Sequence, residues 1–136
     1  MYENSKTTNE YGTIVITRAA VSRIILRCVS EFTERFILTN RKGRMFNPIS
    51  RLGYDESDHL DVAFDEAGAP EIRVYGIIRF GASITATCRE LIDRIRSRIR
   101  TVTGRDPISI TIVVKGTISK NIVPRHIEVS KYYERH

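Results

Sequence analysis

Residues 71–118, EIRVYGIIRFGASITATCRELIDRIRSRIRTVTGRDPISITIVVKGTI, decide the fold. Ile72, Val74, Ile78 and Phe80 alternate with Arg73, Tyr75 and Arg79, the period-2 pattern of a strand with one buried face and one partly wet face. Gly81-Ala82-Ser83 then breaks the strand, and Ser83 is placed to cap a helix. From Ile84 the spacing changes: Ile84, Cys88, Leu91, Ile92, Ile95, Ile99 and Val102 make one apolar stripe at helical period. Gly104 suits the left-handed cap position and Pro107 stands just beyond it, so the helix ends there. A last strand, 108–118, sets Ile110, Ile112, Val114 and Ile118 against Thr111, Lys115 and Thr117.

Working outward, residues 59–65 read as a strand joined to the one above by Glu66-Ala67-Gly68-Ala69-Pro70, whose glycine and proline punctuate a hairpin. Gly12 to Thr17 (GTIVIT) reads as a short strand. Thr17 caps a helix in which Val21, Ile24, Ile25, Cys28, Val29 and Phe32 recur at helical spacing. Arg35 to Asn40 (RFILTN) reads either as a strand or as a helix exit, and residues 35–57 as a whole, mixing turn formers with isolated apolar anchors, are expected to form an irregular connection. The expected fold is therefore α+β, a small two-layer sandwich in the order strand-helix-strand-strand-helix-strand, with both helices on one sheet face. A flexible N-terminal arm (1–11), a single domain (12–118) and a basic C-terminal tail (119–136), which apart from any membrane role adds an edge strand or frays, are the expected divisions.

With 136 residues, 41% of them hydrophobic, the chain has the size and apolar content for one core. Lysine and arginine number 22 against 16 acidic residues, a formal charge of +6, which favours anionic partners. The opening MYENSKTTNE has no apolar run of a signal peptide, and no stretch is long and apolar enough to span a bilayer, so a cytoplasmic location is expected. Cys28 and Cys88 each fall on an apolar helical stripe, the setting of buried, reduced thiols.

Searched for chemistry, the sequence offers little. His59, His126 and His136 have no partners at metal-ligand spacing, so neither a metal site nor a cofactor is expected. His59 stands near Ser57, Asp58 and Asp61, but no serine lies on a nucleophile turn. Neither GxGxxG nor GxxxxGK[ST] occurs. No catalytic residue and no small-molecule substrate are expected. Charge points instead to surfaces: Arg96, Arg98, Arg100 and Arg105 form a ridge on the long helix, and Arg73, Tyr75, Arg79 and Lys115 share the wet sheet face. These eight residues are the candidate interaction surface. A basic block over 35–51 is followed by an acidic block over 55–71, a pairing that suits head-to-tail contacts between copies.

Four features of this chain resemble the alkaline shock protein family, cytoplasmic proteins linked to envelope stress in Gram-positive bacteria. They are Arg79-Phe80-Gly81-Ala82-Ser83-Ile84, the helix with Leu91, Ile95 and Ile99, its Thr103-Gly104 end, and Ile110-Thr111-Ile112-Val113-Val114-Lys115-Gly116. Gly12-Thr13-Ile14-Val15-Ile16 and the helix reaching Phe32 look like the family's first half. The resemblance implies a non-enzymatic, self-associating protein held at the membrane by an integral membrane adaptor. The basic surface adds two other partners: nucleic acid, bound by the arginine helix and sheet face, or an anionic membrane surface met by the tail through Lys120, Arg125, Lys131 and Arg135.

Overall fold

β-Strand 5 (Pro70–Arg79) is the axis of the computed structural model, which describes residues 4–9, 12–45 and 59–133. The other elements are β1 (Asn4–Asn9), β2 (Gly12–Thr17), α1 (Arg18–Ser30), β3 (Phe36–Leu38), β4 (Leu60–Phe64), α2 (Ile84–Thr103), β6 (Ser109–Ile118) and β7 (Ile122–Tyr132). One edge of β5 pairs in parallel with β6, and β6 pairs antiparallel with β7. The opposite edge of β5 is shared end to end by two short antiparallel strands, β4 against Pro70–Val74 and β3 against Gly76–Ile78. Parallel β5 and β6 require a crossover, and α2 supplies it.

The change of partner along β5 falls at Tyr75. Its N–H donates to the His59 carbonyl (3.2 Å), and its own carbonyl accepts from Thr39 N–H (2.9 Å). The connection from β3 to β4 therefore leaves and re-enters at one residue, and neither backbone group of Tyr75 is left unpaired. Residues 46–58 of that connection lie outside the described residues, with most of the expected basic-to-acidic junction.

Both helices lie on one face of the five-stranded mixed sheet, as the α+β sandwich requires. Ile72, Val74 and Ile78 of β5 and Ile110, Ile112 and Val114 of β6 meet Val21, Ile25 and Cys28 of α1 and Cys88, Leu91, Ile95 and Ile99 of α2 in one buried cluster. Thr17 and Ser83 accept from the Ala20 and Ala86 amides as N-caps, and Gly104 closes α2 in the left-handed conformation. Burial pushes the Cys88 thiol up to about 11 and raises Cys28 as well, so both thiols stay protonated and unreactive near neutrality.

Several expectations give way. The GTIVIT strand does not enter the main sheet; β2 pairs with β1 in a separate two-stranded hairpin. Residues 4–9 are therefore a strand rather than a flexible arm, because strand pairing satisfies main-chain groups whatever the side-chain polarity. Residues 36–38 take the strand alternative as β3 within the expected irregular connection, and the basic tail takes its edge-strand alternative as the eleven-residue β7. Phe80, assigned to the buried face, is 80% exposed because β5 ends one residue earlier and Gly81, at φ +93°, turns the chain away. Val102 is also exposed; in the last turn of α2, Thr103 takes the inward position and its hydroxyl donates to the Ile99 carbonyl (2.8 Å).

The tightest packing is between β3 and β5. Phe36 is fully buried with its ring over Gly76, where an added Cβ would stand 2.1 Å from the ring's Cζ. Gly76→Ala is expected to lower the unfolding free energy by about 1–3 kcal/mol, the range for overpacking a core. Phe36→Ala alone is expected to cost about 3–5 kcal/mol. In the double variant, urea denaturation should show a cost well below the sum of the two, since the clash vanishes with the ring. Strict additivity would show that the ring and the glycine are not coupled.

Candidate interaction surfaces

The candidate residues divide between the two sides of the molecule. Arg73, Tyr75 and Lys115 occupy the sheet face away from the helices, while Arg96, Arg98 and Arg100 lie on α2 on the other side. Arg105 follows α2 and donates to the Ala67 carbonyl (3.0 Å) in the β4–β5 turn. Arg79, at the end of β5, donates from Nε to the Thr33 carbonyl (3.1 Å). It stands at the rim of an apolar groove of about 410 Å³ lined by Leu26, Val29, Phe36, Ile37 and Leu38.

On the open sheet face, cross-strand rows put side chains of β4, β5, β6 and β7 next to one another. Tyr75 is nearly buried, and its hydroxyl donates to Asp61 Oδ2 (2.7 Å). Arg41 pairs with the other oxygen of Asp61 and stacks over the Tyr75 ring, 5.5 Å from its centroid. Arg73 Nη1 reaches Glu128 Oε1 (3.3 Å). Glu128 also meets His126 Nε2 (2.9 Å), and His126 Nδ1 lies 3.3 Å from Lys115 Nζ. An ammonium only donates and a carboxylate only accepts, so one neutral tautomer fits both neighbours: Nδ1 accepts from Lys115 and Nε2–H donates to Glu128. The His126 and Arg73 hydrogen bonds together hold the Glu128 carboxyl below its usual range.

Lys115 owes its position to a backbone irregularity. Between the pairs Gly76↔Val114 and Ile77↔Gly116, β6 carries Lys115 as one residue more than β5. Between Val114↔Ile127 and Gly116↔Pro124, β7 in turn carries one residue more than β6, where Arg125 and His126 face Lys115. Bulges of this kind re-aim a side chain at the cost of local pairing. The turn after β3 closes over the site: a Cβ on Gly43, at φ +85°, would stand 3.2 Å from Lys115 Cβ. Beneath this polar layer Ile77 and Val113 are fully buried, so the dry part of the face expected to be partly wet is a second packed layer.

The arginine ridge is largely neutralised. Arg96 grips Asp106 with two hydrogen bonds (2.9 and 3.2 Å), and Arg100 reaches the same carboxylate (3.1 Å). Arg96 also lies 5.1 Å from the Tyr133 ring centroid, and burial pushes the Tyr133 phenol up to about 12. Arg94 and Arg98 converge on Glu31, tying α2 to the end of α1. From the basic block, Arg35 pairs with Glu90 and Arg41 with Asp61, both within the chain. Counting arginines in the sequence finds the cations but not these acceptors, which lie past the end of α2 (Asp106) or on other elements (Glu31 and Asp61).

Among the described residues, no group of three or more His, Cys, Asp or Glu side chains converges as metal ligands would. Of the residues around His59, Asp61 is engaged by Tyr75 and Arg41, while Ser57 and Asp58 lie outside the described residues. No described helix is long and apolar enough to cross a membrane.

The Arg96 and Arg100 hydrogen bonds hold the Asp106 carboxyl below its usual range. A carboxyl depressed in the folded state stabilises it above the unfolded-state pKa, and that contribution fades as pH falls through the folded-state value. Asp106→Asn is therefore expected to cost about 1 kcal/mol or less at pH 7, given the exposure of both arginines. Urea midpoints of variant and wild type should converge as pH falls through the folded-state value of Asp106; a gap that does not narrow with falling pH would locate the effect outside this ion pair. No family model, curated protein or solved structure matches this chain.

Proposed function

We propose that this protein is a non-enzymatic assembly protein that works by self-association at the cytoplasmic face of the membrane, where an integral membrane adaptor recruits it. The observation that carries self-association is β7. It is an eleven-residue strand that, among the described residues, is hydrogen-bonded along β6 on one side only, exposed for most of its length, with Val123 53% and Tyr132 73% exposed. Such an edge offers a row of unpaired main-chain donors and acceptors, a template for another strand. The alkaline shock resemblance supports the same reading, since its quoted stretches bracket α2 and form the β5–α2–β6 unit on which β7 is laid. Recruitment by an adaptor rests on that resemblance alone.

The nucleic-acid alternative draws less support. Its arginine ridge and its basic sheet face point to opposite sides, and Arg94, Arg96, Arg98 and Arg100 are engaged by Glu31 and Asp106. Electrostatic binding to phosphates needs cations on one surface, available to replace counterions.

Light scattering across protein concentration should show a mass rising above the monomer. Main-chain pairing predicts that the oligomer persists when salt is raised from about 0.1 to 1 M, where the Debye length shrinks from about 10 to 3 Å. Dissociation over that range would assign the contact to charge patches; a monomer at every concentration would overturn the proposal.

A further inference from the structure

Taking self-association as its premise, we infer that two copies pair edge to edge through β7, antiparallel about a two-fold axis at Val129, joining two five-stranded sheets into one.

The direction of the free hydrogen-bonding groups follows from one contact. Tyr133 N–H donates to the Ile108 carbonyl (3.0 Å), and the register from Ile110↔Lys131 to Val114↔Ile127 is unbroken. In an antiparallel ladder, residues alternate between those bonded to the neighbour and those facing away. Lys131, Val129 and Ile127 therefore bond to β6, and Glu128, Ser130 and Tyr132 turn their N–H and C=O groups outward. Among the described residues, no other strand pairs with that edge.

A two-fold antiparallel pairing must set outward residues opposite outward residues, which leaves few registers. With the axis at Glu128, Glu128 would face its own copy and Arg125 would face Lys131, like charges at both places. With the axis at Ile127, Pro124, which has no N–H, and the irregularity at Arg125 and His126 would be drawn into the ladder. With the axis at Ser130, each Val129 would face Lys131 of the other copy, parting the two partly buried valines and breaking the apolar layer at the junction. The axis at Val129 sets Glu128 opposite Ser130 and Ile127 opposite Lys131, with no like-charge pair and with the irregularity at Arg125 and His126 outside the paired segment. It also sets the two Val129 side chains, which pack partly buried against the helix-side core, against each other, with Ile127 of each copy diagonal to Val129 of the other, so that apolar layer continues across the junction. The surface is thus complementary to itself in charge and in hydrogen-bonding direction, and the occupant it fits is a second copy of this chain.

Two variants of the full chain test the register. At the axis, the two Val129 residues form a non-hydrogen-bonded pair with α-carbons about 4.5 Å apart, within reach of a disulfide. Under mild oxidation Val129→Cys should form a covalent dimer at least tenfold faster than Val123→Cys, which is exposed on the same strand but outside the paired segment; native Cys28 and Cys88 are buried. Ser130→Pro removes an N–H that faces away from β6, so circular dichroism should remain native while light scattering reports a monomer. If Ser130→Pro does not fold, the cysteine comparison still decides. A wild-type oligomer whose Val129→Cys variant cross-links no faster than the control would overturn this interface and leave self-association to another surface. A monomeric wild type would overturn both, leaving the edge to an extended segment of a different protein.

Discussion

The α-carbon of Gly76 carries no side chain, and the ring of Phe36 lies where one would be. The close approach holds β3 against β5 although β3 is only three residues long. It also fixes the end of α1, because the amides of Arg35 and Phe36 both donate to the Phe32 carbonyl (2.8 and 2.7 Å). Phe32 in turn lies beneath the guanidinium groups of Arg35 and Arg94, from the α1–β3 connection and α2. One notch in β5 thus sets the sheet edge, the angle at which the chain leaves α1, and the seam between the helices. With β3 held over Gly76–Ile78, β4 has only Pro70–Val74 to pair with, and the Tyr75 peptide is left to serve both ends of the connection.

Much of this order is visible in the amino-acid pattern. Helix α2 is marked by its stripe, its serine cap and Gly104, and β5 and β6 by alternation over part of their length, because each signal arises within a few residues. What escapes is set by distant partners. Phe36-Ile37-Leu38 is too short to show a period, and only the bare Gly76 explains why it is a strand. Asn4 to Asn9 has no apolar face to announce it and is held by pairing with β2. The mixed character of β7 resembles a tail because only Ile127 and Val129 reach the core.

The candidate surface shows the same division. Arg73, Tyr75 and Lys115 were legible as neighbours from strand alternation, but Asp61, Glu128 and His126, which turn them into a network, come from strands on either side. The ridge was legible as helical spacing, whereas Asp106 and Glu31, which engage it, lie beyond the helix end and on another element. Net charge is a property of the whole chain. The field at any one surface depends on which acids fold next to which bases.

The two edges of the sheet differ in a way that bears on assembly. On the β5 side the edge is broken: β3 and β4 are short, they meet at Tyr75, and the connection between them begins there, so no long row of free main-chain groups is presented. On the β7 side the strand runs eleven residues, with Pro124 and the irregularity at Arg125 and His126 confined to its first half. Proteins blunt exposed edges with prolines, bulges, charges and short strands. This chain applies those devices to one edge and to the start of the other, and leaves Ile127 to Tyr132 regular, paired in unbroken register, and bearing Lys131 as its only cation. A single lysine that faces an apolar residue in an antiparallel copy discourages indiscriminate stacking without closing the edge to one register. The regular half of β7 is therefore suited to pairing once, in one alignment, rather than to open-ended growth.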